Sequence, residues 1–244
     1  MNRKKTIKQF PKICFLIALL AALIMVLSIS GCVPSAKQPV TPPLSMDLAG
    51  LKAGDLFSFG SYEQDNDVEN GAEPIEWQVL AVEDGRALVI SRYALDAKPY
   101  NESFINVTWS RSTLRSWLNG EFYNNAFDNA EKTNIAEVTN SNPSNVCSRA
   151  RGGFSTKDRI FLLNFDEANK YFPSDEVRQC EATPYAKAHG AYIGENENSW
   201  WWLRSPGRTG SAAAIVLYGG YVSNLGYAVN DPYNVVRPAF WLSL

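Results

Sequence analysis

Apolar residues that are mostly β-branched or aromatic recur in three short runs after residue 50. The runs are DLFSFG at residues 55–60, IEWQVLAV at 75–82 and ALVISRY at 87–93. This composition is typical of β-strands, and the Asp84-Gly85 pair between the last two runs favours a tight hairpin turn. The pattern therefore predicts that the folded part of the chain opens with a β-meander.

The apolar pattern changes to a helical period at residues 112–127 (STLRSWLNGEFYNNAF). Leu114, Trp117 and Leu118 follow the three- and four-residue spacing that places side chains on one face of a helix. The Asn119-Gly120 pair predicts a break into two short helices. We interpret the apolar side chains as a packing face rather than as ligand contacts.

Two further helices are predicted from their end signals. Asn164 and Glu167 have the spacing of a capping box and follow a strand-like run at residues 159–163, so a helix is expected over 165–172. Another helix is expected over 184–189, where a glycine follows. Short helices among many strands predict an α+β fold built mostly of antiparallel strands.

Three consecutive tryptophans begin the C-terminal pattern WWWLRSPG at residues 200–207. In a strand, Trp200, Trp202 and Arg204 would share one face, while the residues between them share the other. Both faces are apolar, which is typical of an interior strand. Further strands are predicted at residues 212–218, 227–229 and 235–242.

These C-terminal side chains permit two interpretations. An indole beside a guanidinium can stack on a flat sugar or peptide surface, which makes Trp200 and Trp202 candidate ligand-binding residues. Burial in the core is the other expectation for the same rings. Arg204 and Arg237 lie in apolar strands, so we expect both to be structural, buried, and bonded to carboxylates or backbone carbonyls.

The N-terminal segment has the pattern of an export signal. Residues 1–31 carry five basic and no acidic residues, with an apolar run at 13–27 and small residues before Cys32. The run Ile29-Ser30-Gly31-Cys32 resembles the bacterial lipobox, in which the cysteine becomes the diacylated first residue of a lipoprotein. The resemblance implies lipidation at Cys32, and an uncleaved anchor helix is the alternative. Either would place the rest of the chain outside the cytoplasm.

Composition divides the chain further. Residues 32–50 are rich in Pro, Ser and small residues, which is typical of an extended tether, and 51–244 are long enough for one globular domain. Loss of residues 1–31 would change the formal net charge from −2 to −7, since five of 23 basic and none of 25 acidic residues are removed. No basic run remains, which argues against nucleic acid and leaves the lipid as the predicted attachment to the membrane. The expected location is the outer face of the cytoplasmic membrane or the cell surface.

Cysteine usage fits an exported chain. After Cys32, the pair Cys147 and Cys180 remains, and an even number in this setting predicts a disulfide. Two free thiols or metal ligands are the alternatives. Metal is disfavoured because the chain has one histidine and no Cys-x-x-Cys motif.

An oxygen-rich loop offers a weaker metal hypothesis, and calcium is the one cofactor that the sequence raises. Asp65, Asp67 and Glu69 alternate, and Glu76 follows Asp65 at the distance of a twelfth ligand in a calcium loop. The glycine of that motif is one place late here, and Pro74 would interrupt its helix. A solvated turn is the alternative, because acidic and amide residues are common in turns.

Several long motifs resemble a known family. They are FGSYEQD (59–65), PIEWQVL (74–80), STLRSWLN (112–119), RIFLLNFDEANKYF (159–172), WWLRSPG (201–207) and VRPAFWL (236–242). Over about residues 51–244 they resemble an uncharacterised bacterial domain-of-unknown-function family, number 6273, of surface domains. That family has Gly-Val-Arg-Pro where this chain has Val-Val-Arg-Pro at 235–238. More remotely, the order of the C-terminal strands is similar to the C-type-lectin-like fold of the sulfatase-modifying-factor group.

No catalytic motif is recognised in the sequence. A histidine-based triad would need His189, which the pattern places at a helix end, and both mature cysteines lie well before the tryptophan-rich segment. We therefore expect a lipid-anchored extracytoplasmic binding module for envelope glycan, peptide or a partner protein. A passive surface scaffold and a carboxylate-dependent hydrolase are the alternatives. An exposed aromatic cleft would favour binding, and converging carboxylates with a raised pKa would favour hydrolysis.

Overall fold

The computed structural model describes residues 48–244. Three predicted features lie outside the described residues: the signal segment at residues 1–31, the expected lipidation at Cys32 and the expected tether up to residue 47. Within residues 48–244, no helix has both the length and the apolar character needed to cross a membrane.

The fold is α+β with mostly antiparallel strands and few short helices, which confirms the predicted fold class. The strands are β1 Leu56–Tyr62, β2 Glu73–Glu83, β3 Arg86–Ser91, β4 Asp96–Ala97, β5 Ile135–Ala136, β6 Val138–Asn140, β7 Thr156–Asp158, β8 Trp201–Pro206, β9 Ala212–Val216, β10 Val222–Ala228, β11 Val235–Val236 and β12 Ala239–Ser243.

Two five-stranded sheets carry most of the strands. The first has the order β1-β2-β3-β12-β5 and is antiparallel throughout. The second has the order β10-β9-β8-β11-β4, in which only the β8–β11 pair is parallel. Strands β6 and β7 form a separate antiparallel pair.

The predicted hairpin joins β2 to β3. Asp84 and Gly85 both have positive φ angles, 51° and 70°, and Glu83 pairs with Arg86 across the turn. Positive φ at both central positions matches the right-handed twist of the flanking strands. The local sequence therefore determines this turn.

The predicted strand over 235–242 is wrong in one respect, because it is two strands. Val235–Val236 lies in the second sheet and Ala239–Ser243 in the first, with Arg237-Pro238 between them. Proline has no N–H to donate to a ladder and restricts the residue before it, so the pairing changes at this position. The chain passes from one sheet to the other within two residues.

The helices are all short. They are α1 Thr113–Trp117, a π-helical segment Leu118–Phe122, α2 Tyr123–Ala126, α3 Asn129–Asn134, α4 Phe165–Tyr171, α5 Asp175–Arg178 and α6 Pro184–Ala188. Single 3₁₀ turns lie at Leu48–Gly50, Trp109–Arg111 and Glu195–Glu197.

Asn119-Gly120 does not break the first helix as predicted. The chain continues through the π-helical segment. The side chain of Asn119 donates to the Arg115 carbonyl of its own helix (3.2 Å) and also bonds to a distant segment. Its Nδ2 donates to the Ile160 carbonyl (2.7 Å), and its Oδ1 accepts the N–H groups of Arg159 and Ile160 (2.8 and 3.2 Å). The predicted strand at 159–163 is reduced to one bridge, from Phe161 to Ala239.

One buried cluster forms the core, and it draws residues from both sheets and from the first helices. Leu114 and Leu118 are buried as the helical pattern predicts, whereas Trp117 is partly exposed, with the Lys98 ammonium 4.8 Å from its ring centroid. The largest fully buried side chains include Trp77, Trp109, Trp201, Trp202 and Arg204.

Candidate functional site

Strand β8 is buried along its whole length, on both faces. The Trp202 Nε1–H donates to the Lys98 carbonyl (2.9 Å), and no part of this ring is exposed. Trp202 therefore cannot contact a ligand, which corrects the expectation that it binds one alongside Trp200. Trp200 comes just before the strand and is partly exposed.

Arg204 is 1 % exposed and is held by several acceptors. Its Nη1 and Nη2 donate to the two carboxylate oxygens of Glu167, at 2.5 and 2.6 Å. Nη1 also donates to the Leu162 carbonyl (2.7 Å), while Nε has no partner in the described residues. A bidentate pair of this kind fixes geometry as well as supplying energy.

Arg237 is also buried, but it has carbonyl and aromatic partners. Its Nε donates to the Ser91 carbonyl (2.9 Å), and its guanidinium carbon lies 5.2 Å from the ring centroids of both Phe172 and Trp201. Burial lowers the pKa of Arg237, since the charged form loses hydration. Ring faces and carbonyls offset part of that loss, so this arginine connects the sheet junction to the end of α4.

Four aromatic rings form a partly exposed surface beside β8, which we call the aromatic surface: Tyr192, Trp200, Tyr218 and Tyr227. The Tyr192 and Trp200 rings lie 4.4 Å apart between centroids with planes 32° apart, and Tyr227 lies 5.5 Å from Trp200. Tyr192 is 39 % and Tyr227 42 % exposed. Trp200 is the one predicted ligand contact that lies in it.

The aromatic surface continues into a cleft of about 580 Å³, which we call the Tyr227 cleft. Phe104 and Leu225 supply apolar lining, and Arg208 and Asp231 supply charge. Asp231 is fixed in the cleft, because its Oδ1 accepts the Tyr233 N–H and the Asn234 amide, both at 3.0 Å. Aromatic rings beside a few oriented polar groups are typical of a ligand site.

The predicted calcium ligands do not assemble as a set. Asp65 and Asp67 each accept a backbone N–H two residues ahead, which is turn chemistry. Glu69 contributes only its N–H to that turn, and Glu76 lies on β2, where it pairs with Arg92 (2.9 Å). The predicted twelve-residue loop is therefore wrong.

A different acidic group does assemble. Carboxylate oxygens of Glu63, Asp65 and Glu73 lie within 4.8 Å of one another and could hold a cation. Burial, followed by the Glu73 charge, raises the pKa of Glu63. Glu73 also accepts the N–H of Gln64 (2.6 Å), so it closes the β1–β2 loop. This group was not predicted from the sequence, because Glu73 comes to lie beside the end of β1 through strand pairing and not through a recognisable spacing along the chain.

Cys147 and Cys180 are both free, so the predicted disulfide is wrong. Cys180 is buried, and its thiol contacts the carbonyls of Arg92 and Glu181 (both 3.6 Å). Cys147 is exposed on a loop, where its sulfur accepts from Asn224 on β10 (2.9 Å). An even count of cysteines carries no information about distance, and these two thiols have separate surroundings.

Comparison with known proteins adds the family. The model of a family described as "Domain of unknown function (DUF6273)" matches residues 84–244, so the FGSYEQD and PIEWQVL motifs lie before the match. No curated protein matches the chain, and no solved structure matches it either. The C-type-lectin-like likeness therefore stays an expectation. Since the matched residues cover well over half of the sequence, the chain belongs to the DUF6273 family of domains of unknown function.

Proposed function

We propose that this protein is a lipid-anchored extracytoplasmic binding module that takes envelope glycan on the aromatic surface and in the Tyr227 cleft. The observation that carries the proposal is the close, partly exposed Tyr192–Trp200 ring pair, which leads through Tyr227 into a cleft with polar groups. We favour envelope glycan over peptide, because the flat apolar faces of the rings can bind a sugar without backbone pairing at an open strand edge.

The chemistry of the surface supports a saccharide. Sugar rings have an apolar C–H face that packs on indole and phenol rings, and hydroxyls that need oriented donors and acceptors. Asp231 supplies an acceptor and Arg208 a donor beside Tyr227. The rings are held by buried neighbours, since Trp200 precedes the fully buried strand β8, so little ordering is needed on binding.

Two alternatives are weaker. A passive scaffold role does not explain why several aromatic rings lie side by side and half-exposed on the surface. A carboxylate-dependent hydrolase is favoured by the raised pKa of Glu63 near Glu73, but Glu73 is bonded to the backbone of its own loop.

The test is co-sedimentation of the full chain with purified cell-wall sacculi. We expect the wild type to sediment, and Trp200→Ala and Tyr227→Ala to weaken the affinity at least about tenfold, since each removes a stacking face. Trp241→Ala is the matched control, because Trp241 is also a partly buried tryptophan but lies on β12 in the first sheet.

A wild-type chain that stays in the supernatant would contradict glycan binding and leave the scaffold alternative. Equal sedimentation of Trp200→Ala and wild type would place the site elsewhere. The lipid anchor has its own measurement: the intact mass of membrane-extracted protein should show a diacylglyceryl adduct that Cys32→Ser removes. A wild-type chain without that adduct would contradict lipidation.

A further inference from the structure

A second cavity, of about 790 Å³, lies between the segment around residues 106–111 and the loop at 144–154. We call it the arginine cavity, because Arg111, Arg149 and Arg151 line it. No aspartate or glutamate is among its lining residues. The cavity shares no residue with the aromatic surface or the Tyr227 cleft, so its ligand is independent of the proposed glycan.

The three arginines of the cavity have no carboxylate partner within ion-pair distance in residues 48–244. Five other arginines do meet a carboxylate: Arg92, Arg115, Arg159, Arg178 and Arg204. In a chain with more acidic than basic residues, three exposed unpaired guanidiniums in one cavity form a local positive field.

The loop that carries Arg149 and Arg151 is fixed from beneath by a buried amide. Asn145 Nδ2 donates to three backbone carbonyls at 2.7 to 3.1 Å, those of Pro206 on β8, Gly207 just after it and Asn224 on β10. Its Oδ1 accepts the N–H groups of Cys147 and Ser148 within the loop. The loop is therefore preorganised, which lowers the entropic cost of binding.

Close backbone packing holds the other half of the loop. A Cβ at Gly152 would lie 2.1 Å from the Asn142 carbonyl oxygen, and one at Gly153 (φ +96°) would lie 2.7 Å from Thr108 Oγ1. Arg149 itself has a φ of 62°, a conformation that costs a non-glycine residue about 1 kcal/mol. Such backbone strain persists only where neighbouring contacts hold the conformation in place. At this position the side chain of Arg149 lines the cavity.

The lining matches one ligand chemistry. Guanidinium groups bind phosphate and carboxylate through paired N–H donors. The hydroxyls of Thr108 and Ser110 bond to each other (3.0 Å), which leaves one hydroxyl proton that can be donated to a ligand. Phe154 is 86 % exposed at the rim. We infer that the arginine cavity is a binding site for a ligand that carries two or more oxyanion groups, phosphate or carboxylate.

The test is isothermal titration of the full chain, purified in detergent, at about 150 mM salt, where nonspecific attraction is screened. The probes are inorganic tripolyphosphate and citrate. We expect at least one to bind, and Arg111→Gln with Arg151→Gln to weaken that binding at least about tenfold. Tighter binding of tripolyphosphate would assign phosphate groups to the ligand, and tighter binding of citrate would assign carboxylates.

The control removes the same charge elsewhere. Lys52→Gln with Lys170→Gln takes two exposed cations outside the cavity and should change affinity less than about twofold. The two single variants, Arg111→Gln and Arg151→Gln, are measured beside the pair so that a folding defect in one does not decide the result. The inference is overturned by failure of both anions to bind, by unchanged affinity in all three arginine variants, or by an equal loss in the lysine control.

Discussion

The side chains of Arg204 and Glu167 meet in a bidentate pair, with Nη1 2.5 Å from Oε2 and Nη2 2.6 Å from Oε1. Glu167 is at the same time the third residue of helix α4, where its Oε2 accepts the Asn164 N–H (2.8 Å) in a capping box. One carboxylate therefore satisfies a helix N-terminus and a buried guanidinium of strand β8. The helix is fixed to the sheet at its first turn.

Glu167→Ala should lower the free energy of unfolding by about 3 kcal/mol, because it leaves a buried arginine charge without its carboxylate and opens the cap. Arg204→Met should destabilise by a similar amount, since the Leu162 carbonyl also loses its donor. Chemical denaturation measures both. Asp166→Ala, in the same helix turn but less buried, is the control and should cost less than about 1 kcal/mol. Equal effects at 166 and 167 would contradict the role of the pair.

Asp158 is a buried carboxylate with four side-chain donors. Oδ2 accepts from Trp109, Asn140 and Thr156, and Oδ1 accepts from Arg115 Nε (2.6 Å). Asp158→Asn should lower the free energy of unfolding by about 2 to 4 kcal/mol. The new amide NH2 group would face side chains that are themselves donors, and the negative charge beside Arg115 would be lost. Thermal melting followed by circular dichroism tests this. A melting temperature equal to that of the wild type would show that the network relaxes without loss.

The two free thiols should react differently. Burial raises the pKa of the Cys180 thiol, with the Arg237 charge acting in the opposite direction, whereas Cys147 is exposed. We expect iodoacetamide to label Cys147 in the folded chain and Cys180 only after denaturation, because alkylation needs an accessible thiolate. Peptide mapping by mass spectrometry reads both sites. If neither thiol is labelled until a reductant is added, the two cysteines form a disulfide after all and this prediction is wrong.

Two adjacent glycines provide a matched pair of variants. Gly220 has a φ of +89°, and a Cβ there would lie 1.7 Å from the Asp175 carbonyl oxygen, whereas a Cβ at Gly219 meets nothing within 4 Å. Gly220→Ala should cost about 2 to 4 kcal/mol through backbone strain and overpacking, and Gly219→Ala less than about 1 kcal/mol. Urea titration of the two variants compares them directly. Equal midpoints would show that the start of helix α5 at Asp175 moves away freely and that the positive φ at residue 220 carries no cost.

Features that depend on neighbours in sequence were predictable. The capping box at Asn164 and Glu167 predicted helix α4 to within one residue, and Asp84-Gly85 predicted its hairpin. Both depend on backbone groups within four residues, so no distant contact overrides them. The two apolar faces of WWWLRSPG likewise predicted the fully buried strand β8.

Features that depend on distant segments were not predictable from one sequence. Asn119 looks like a helix breaker, but it bonds to residues 159 and 160, some 40 positions away. Trp202 and Trp200 have the same chemistry, and tertiary packing alone decides that one is covered and the other is not. The arginine cavity joins two segments that have no periodicity, so no pattern marks it.

The change of sheet at Arg237-Pro238 has a consequence for the order in which the protein can be made. Strand β12 lies inside the first sheet, between β3 and β5, and β11 lies inside the second, between β8 and β4. During synthesis, which proceeds from the N-terminus, the second sheet therefore lacks β11 until residue 236 is free, and the first sheet lacks β12 until residue 243 is free. Neither sheet can complete its ladder before these strands are available, so the last step of folding closes both sheets and waits for synthesis to deliver the C-terminal strands.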